Sequence, residues 1–181
     1  MKVFKIILLV VVSIIGVLLI AAIFIKKEYT VKREIVINKP SEAIFAYVKQ
    51  LKNHNEFNKW MRVDPATRKT YTGTDGTTGF TMAWESESSQ VGKGEQEISR
   101  IEEGREIDYN IRFKEPFEAG ASASIGTAPI SAEQTKVTWG FNSSMKYPMN
   151  AMMIFMDIPE MLGKDLDTSL QSLKRIVELK Q

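Results

Sequence analysis

Side chains suited to moving a proton are few in this sequence. His54 is its single histidine, and imidazole is the side chain that titrates nearest neutral pH. Glu56, two positions on, could orient that ring as a general base. The plainer reading of the run Lys52-Asn53-His54-Asn55-Glu56 is a histidine in water, because two neighbours do not make a site. Tyr109 shares an alternating apolar face with Ile107, Ile111 and Phe113. Its hydroxyl is placed either to orient a ligand in a pocket or to bond a backbone carbonyl. Glu95 and Glu97 point to one side of a predicted strand, with Gln96 and Ile98 opposite. Turned inward they would form a carboxylate pair, but an inward Ile98 assigns the acids to water.

Other chemistries lack their residues. There is no cysteine, hence no disulfide and no thiolate ligand, and one histidine does not build an imidazole metal site. The glycine-rich run Gly73 to Gly79, GTDGTTG, reads as a hairpin turn and not a phosphate cradle, since no helix follows it. No dinucleotide, P-loop, serine-hydrolase or zinc-protease motif is present. No residue is assigned as catalytic, and no cofactor or metal is implied.

The net charge of +2 misleads about partners. Lys2, Lys5, Lys26 and Lys27 flank an apolar segment, and outside them the 22 acidic residues outnumber the remaining basic ones. A weakly acidic domain without a basic stripe argues against nucleic acid as a partner.

The elements that must position these residues follow from periodicity. Ile6 to Ile25 carries no charge. As a helix it would be about 30 Å long, the thickness of a bilayer's hydrocarbon core. The segment is longer than the apolar stretch of a signal peptide and ends in Ile23, Phe24 and Ile25 without a small-x-small site. The expectation is an uncleaved single-pass anchor over residues 1–27 and a domain over 28–181, with lysines on both sides leaving the orientation open. Tyr29 already begins a strand, so roughly 10 Å of chain at most separates membrane from domain.

Tyr29 to Ile37 predicts a first strand with Tyr29, Val31, Arg33, Ile35 and Ile37 on one face. After Pro40, Ser41 is a candidate cap for a short helix, and a second helical piece spans about Asn53 to Trp60. Six strands follow, near Arg68 to Gly73, Gly79 to Ser86, Val91 to Ile101, Arg105 to Lys114, Phe117 to Thr127 and Gln134 to Asn142. Their short links imply antiparallel neighbours. Between Glu118 and Ile125 every residue is Ala, Gly or Ser. If Ala119, Ala121 and Ala123 face the core, they leave space there; the other reading is close packing or an edge position. Met145 to Met161 holds six of the nine methionines, suited to an adaptable apolar surface, to core filling or to membrane contact.

The last segment, Asp157 to Lys180, predicts one long helix. Leu162, Leu166, Leu170, Leu173 and Val177 fall along one side. Asp157 and Glu160 form a capping box, and Pro159 lies in the first turn.

A strand, two short helices, six antiparallel strands and a long helix is the order of the helix-grip fold. The run VINKPSEAIFAYVKQLKNHNEFNKW, the strand GKGEQEISRIEEGREIDYNIRF and the ending MMIFMDIPEMLGKDLDTSLQSLKRIVE resemble bacterial members of the START-like, or SRPBCC, superfamily of polyketide cyclases and lipid carriers. The resemblance covers roughly Tyr29 to Leu179. It implies an α+β helix-grip fold, a curved antiparallel sheet of about seven strands wrapped round the C-terminal helix. It also implies an apolar or amphipathic ligand, a hydrophobic small molecule or lipid, held between sheet and helix.

On that basis the expected cavity wall is Phe57 and Trp60 from the helical segment, with Phe80, Met82, Trp84, Tyr109, Ile111, Trp139 and Phe141 from the sheet. Met156, Leu162, Leu166 and Leu170 complete it from the C-terminal part. The expected role is that of a membrane-anchored carrier or sensor. The alternatives are a cyclase or dehydratase using Tyr109 or His54 in the same cavity, and a module that binds a protein partner.

Overall fold

In a computed structural model, which describes residues 2–180, the first element is the helix α1, Lys2–Phe24. It is long and apolar enough to cross a bilayer, and almost all of its side chains are uncovered by the rest of the chain. Strand β1, Glu28–Ile37, follows at once.

Helix α2 spans Ser41–Lys49 and α3 spans His54–Phe57, with single 3₁₀ turns at Leu51–Asn53 and Trp60–Arg62. Ser41 is not the cap expected of it. Pro40 holds that position, and among the described residues no side chain caps the helix and the buried Ser41 hydroxyl has no partner. The predicted second helix is divided because Asn58 leaves the helical conformation, with a ψ of 119°.

The strands β2 (Arg68–Thr72), β3 (Thr81–Glu85), β4 (Lys93–Glu102), β5 (Glu106–Glu115), β6 (Ala119–Ser131) and β7 (Gln134–Ser144) join β1 in one seven-stranded sheet. Its order is β1-β7-β6-β5-β4-β3-β2, antiparallel throughout, so β1 and β2 are its edges. β4 starts later than expected, since Val91 and Gly92 form the preceding turn, where Gly92 has a φ of +60°.

Alternation sorts the two faces. Ile98, Ile107, Ile125, Val137 and Trp139 face the core. The opposite face is charged: Arg112 pairs with Glu95 and Glu97, Lys114 with Glu95, and Arg100 with Glu106 and Asp108. Such pairs on a wet face add little stability but keep that face in water.

Helix α4, Ile158–Leu179, lies across the apolar face. Asp157 caps it, its carboxylate accepting from Glu160 N at 3.0 Å. Leu166, Leu170, Leu173 and Val177 are buried in the core. Arg33 of β1 crosses the helix to donate to Glu160 (3.0 Å) and Asp167 (3.1 Å), and Gly163 lies beneath its guanidinium. At the far end, Lys174 Nζ donates to Val36 O and Asn38 N to Glu178, each at 2.8 Å. The helix is therefore clamped along β1, the edge farthest from β2.

Candidate functional site

Because α4 is held against β1, the apolar face toward β2 is covered by the Asn58 to Thr67 segment, and the fit there is incomplete. A cavity of about 240 Å³ remains. Trp84, Gln96, Ile111, Phe113, Ala123, Trp139 and Phe141 wall it from the sheet, Trp60, Met61 and Val63 from the covering segment, and Leu162 from α4. Asn58, Thr67, Lys69, Gln90 and Val91 complete the lining. The wall is mainly apolar and aromatic, with a few polar groups, the usual make-up of a small-molecule pocket. All three tryptophans of the chain stand on it.

Two of these rings are held from behind. Trp60 Nε1 donates to Asp165 of α4 at 3.1 Å, and Lys59 forms an ion pair with the same carboxylate. Trp84 Nε1 donates to Val91 O at 3.3 Å, and its six-membered ring fills the space beside Gly94. Ala123 supplies the room anticipated from the small-residue strand, while Ala119 and Ala121 do not line the cavity.

Of the residues expected on the wall, Trp60, Trp84, Ile111, Trp139, Phe141 and Leu162 line the cavity. Phe57, Phe80, Met82, Tyr109, Leu166 and Leu170 do not, being packed completely into the core. Facing inward is necessary for a wall position and insufficient for it, because these side chains are enclosed by the rest of the core cluster. Met156 lies at the surface, in the turn before α4.

The two acid-base candidates meet each other and not the cavity. His54 is wholly buried, contrary to the solvated position its polar neighbours suggest. Its Nε2 lies 3.0 Å from Val48 O, which makes it the protonated nitrogen, and Nδ1 has no partner among the described residues. Burial lowers its pKa to about 4. The Tyr109 hydroxyl donates to the same carbonyl at 3.4 Å and lies 3.3 Å from His54 Nε2; burial raises its pKa further. The carbonyl-bonded reading of Tyr109 is thus the observed one. Glu56 does not orient His54: it accepts from Tyr47 at 2.9 Å and pairs with Lys180 at 3.3 Å. Glu95 and Glu97 face outward with their arginine and lysine partners.

Lys69 and Gln96, with Asn58, Thr67 and Gln90, are polar wall residues that sequence reasoning passed over. The sequence marks Gln96 as a polar side chain between inward-facing Gly94 and Ile98. Lys69 carries no such mark, since only its register opposite Trp84 turns it to this face.

The Met-rich stretch forms a 3₁₀ segment, Met149–Ile154, and leaves Met149, Met152, Ile154, Phe155, Met156 and Met161 exposed. It touches the end of α1: buried Asn150 donates to Ala22 O at 2.6 Å and to Ile25 O at 3.3 Å. Met145 N also donates to Lys27 O at 2.8 Å.

Among solved structures, the chain is similar to truncated norcoclaurine synthase from Thalictrum flavum, with a TM-score of 0.66 at 9% identity over 86% of this chain and 96% of that one. A protein from Chromobacterium violaceum aligns with a TM-score of 0.58 at 16% identity, covering 82% of this chain and 96% of that one. The Aha1 dimer from Colwellia psychrerythraea gives 0.56 at 12% identity, covering 84% and 98%. At such identities the likeness is one of fold. No curated protein matches the sequence. The sequence itself matches the family described as polyketide cyclase / dehydrase and lipid transport over residues 28–178, so the chain belongs to that family.

Proposed function

We propose that the protein binds an apolar or amphipathic ligand in the cavity between the sheet, the Asn58 to Thr67 segment and the start of α4. It does so as a carrier or sensor held at a membrane, with residues 1–27 as the anchor and 28–181 as the ligand-binding domain. The observation that carries this reading is the cavity itself, a hollow of about 240 Å³ with an aromatic wall on the core side of the sheet. Ligand pockets run from roughly 300 to 1,000 Å³, so the volume suits one alkyl chain or a small ring system better than a whole two-chain lipid.

The membrane half of the proposal rests on α1 and on what lies beside it. The exposed Met149 to Met156 turn abuts the last residues of α1, where a spanning helix would leave the lipid. Flexible apolar side chains at that height suit the interface. An enzyme of the cyclase kind would need its acid and base elsewhere than His54 and Tyr109, which do not line the cavity.

The test uses the full chain in phosphatidylcholine nanodiscs and a fluorescent fatty-acyl probe, with energy transfer from the tryptophans as the readout. Transfer should saturate with probe, and Ala123→Phe, which fills the hollow from its floor, should weaken binding by about tenfold or more. Equal binding by both proteins would sink the cavity as the site.

A further inference from the structure

The cavity wall carries one ionisable side chain, Lys69, on the edge strand β2. Its ammonium donates to Met61 O at 2.8 Å, and no carboxylate pairs with it among the described residues. The acids of neighbouring strands are engaged elsewhere. Glu85 pairs with Arg68 and Lys93, and Glu95 with Arg112 and Lys114. Two ammonium hydrogens thus remain after the Met61 bond.

Gln96, on β4, is a second polar group on the same wall. The residue as a whole is 4% exposed and lines the cavity, and its amide makes no hydrogen bond to any other described residue. The amide keeps access to the hollow, so a ligand there can take up its hydrogen bonds in place of water. Lys69 stands opposite Trp84 in register and Gln96 opposite Met82, two residues along β3 from Trp84, so both side chains lie on the cavity side of the sheet, on the strands either side of β3.

From this juxtaposition we infer that the ligand is a single-chain amphiphile with an anionic head. The head, a carboxylate or a phosphate, bonds to Lys69 and Gln96, and its tail lies against Trp139, Phe141 and Leu162. A cation that lacks a counter-ion at an apolar hollow favours a negative head over a neutral one of the same length. Half-burial strengthens that preference by limiting the screening water. It also lowers the lysine's own pKa, and an anion beside it would restore the charged form. This inference rests on the cavity being the binding site.

Decanoate, decyl phosphate and decanol, titrated against the full chain in phosphatidylcholine nanodiscs, separate the two ideas, with tryptophan emission as the readout. Both anions, or one of them, should act at roughly tenfold lower concentration than decanol; whichever binds tighter identifies the head. Lys69→Met should erase that preference while decanol binding stays, and Lys69→Arg should keep it. Because the variants face the same nanodiscs, the change in preference between proteins is independent of probe partitioning. Gln96→Leu should weaken the anions several-fold. If decanol matches both anions on the unaltered protein, the head-group inference fails and the cavity reading stands. If none of the three probes changes the emission, both fail.

Discussion

The six-membered ring of Trp84 occupies the space that a side chain on Gly94 would need. A Cβ at Gly94 would overlap that ring and come 2.6 Å from the Arg112 carbonyl oxygen on the neighbouring strand. One obstacle is backbone and the other a ring bonded to Val91, so neither yields cheaply. Gly163 offers the opposite case. There the obstacle is the Arg33 guanidinium, which can swing away at the expense of two half-exposed ion pairs.

Gly94→Ala should therefore cost about 1–3 kcal/mol of stability and shift the tryptophan emission. Gly163→Ala should change stability by less than about 1 kcal/mol, since alanine's better helix propensity offsets the disturbed pairs. Denaturant titrations of both variants check the contrast.

Acid should find His54. Its folded pKa, about 4, lies below its ordinary value of 6.5, so the unfolded chain binds the extra proton between those limits. The stability this residue contributes is whole above pH 6.5 and is lost as pH falls toward 4. His54→Gln does not titrate there and keeps a donor for Val48 O. Its stability should fall less over that window, by on the order of 2–3 kcal/mol, than that of the unaltered protein. Parallel acid limbs in the two proteins would contradict the buried, neutral imidazole.

Two leucines one helical turn apart should part company. Leu166 is enclosed in the core, and Leu166→Ala should cost about 2–5 kcal/mol. Leu162 borders the cavity and is only half-buried, so its alanine variant should cost less while altering the affinity for alkyl probes. Denaturation and probe titration of each variant supply both readouts.

Asp165 sets one wall of the cavity through Trp60. Asp165→Ala removes the acceptor of the indole N–H, and probe binding should weaken by about fivefold as that ring loses its fixed pose. Asp165→Asn, which keeps an acceptor oxygen, should bind nearly as well. Probe titrations of the pair distinguish positioning from charge.

Much of the fold was legible along the chain. Alternation and the turn residues between the runs located all seven strands to within a few residues, and the leucine spacing together with the Asp157 cap defined α4, because these signals are local to one element or its ends. Ser41 misled, since a cap depends on the approach angle of the preceding residue, here Pro40. His54 misled more seriously. Its neighbours in sequence are polar, but its neighbours in space, Phe57, Tyr109 and Trp139, come largely from distant strands.

The amino-acid order by itself determined which apolar strand and helix residues face inward, that one apolar helix precedes the domain, and that no cysteine or histidine cluster is available. Only the tertiary structure decided where the inward faces fail to close. Clamping α4 to β1 through Arg33, Lys174 and Glu178 seals the core over Leu166 and Leu170 and leaves the β2 side to a short, irregular segment. That imbalance between remote parts of the chain creates the hollow and turns Lys69 and Gln96 toward it. No period in the sequence records it, because it is set by pairing and contact between segments and not by spacing within them.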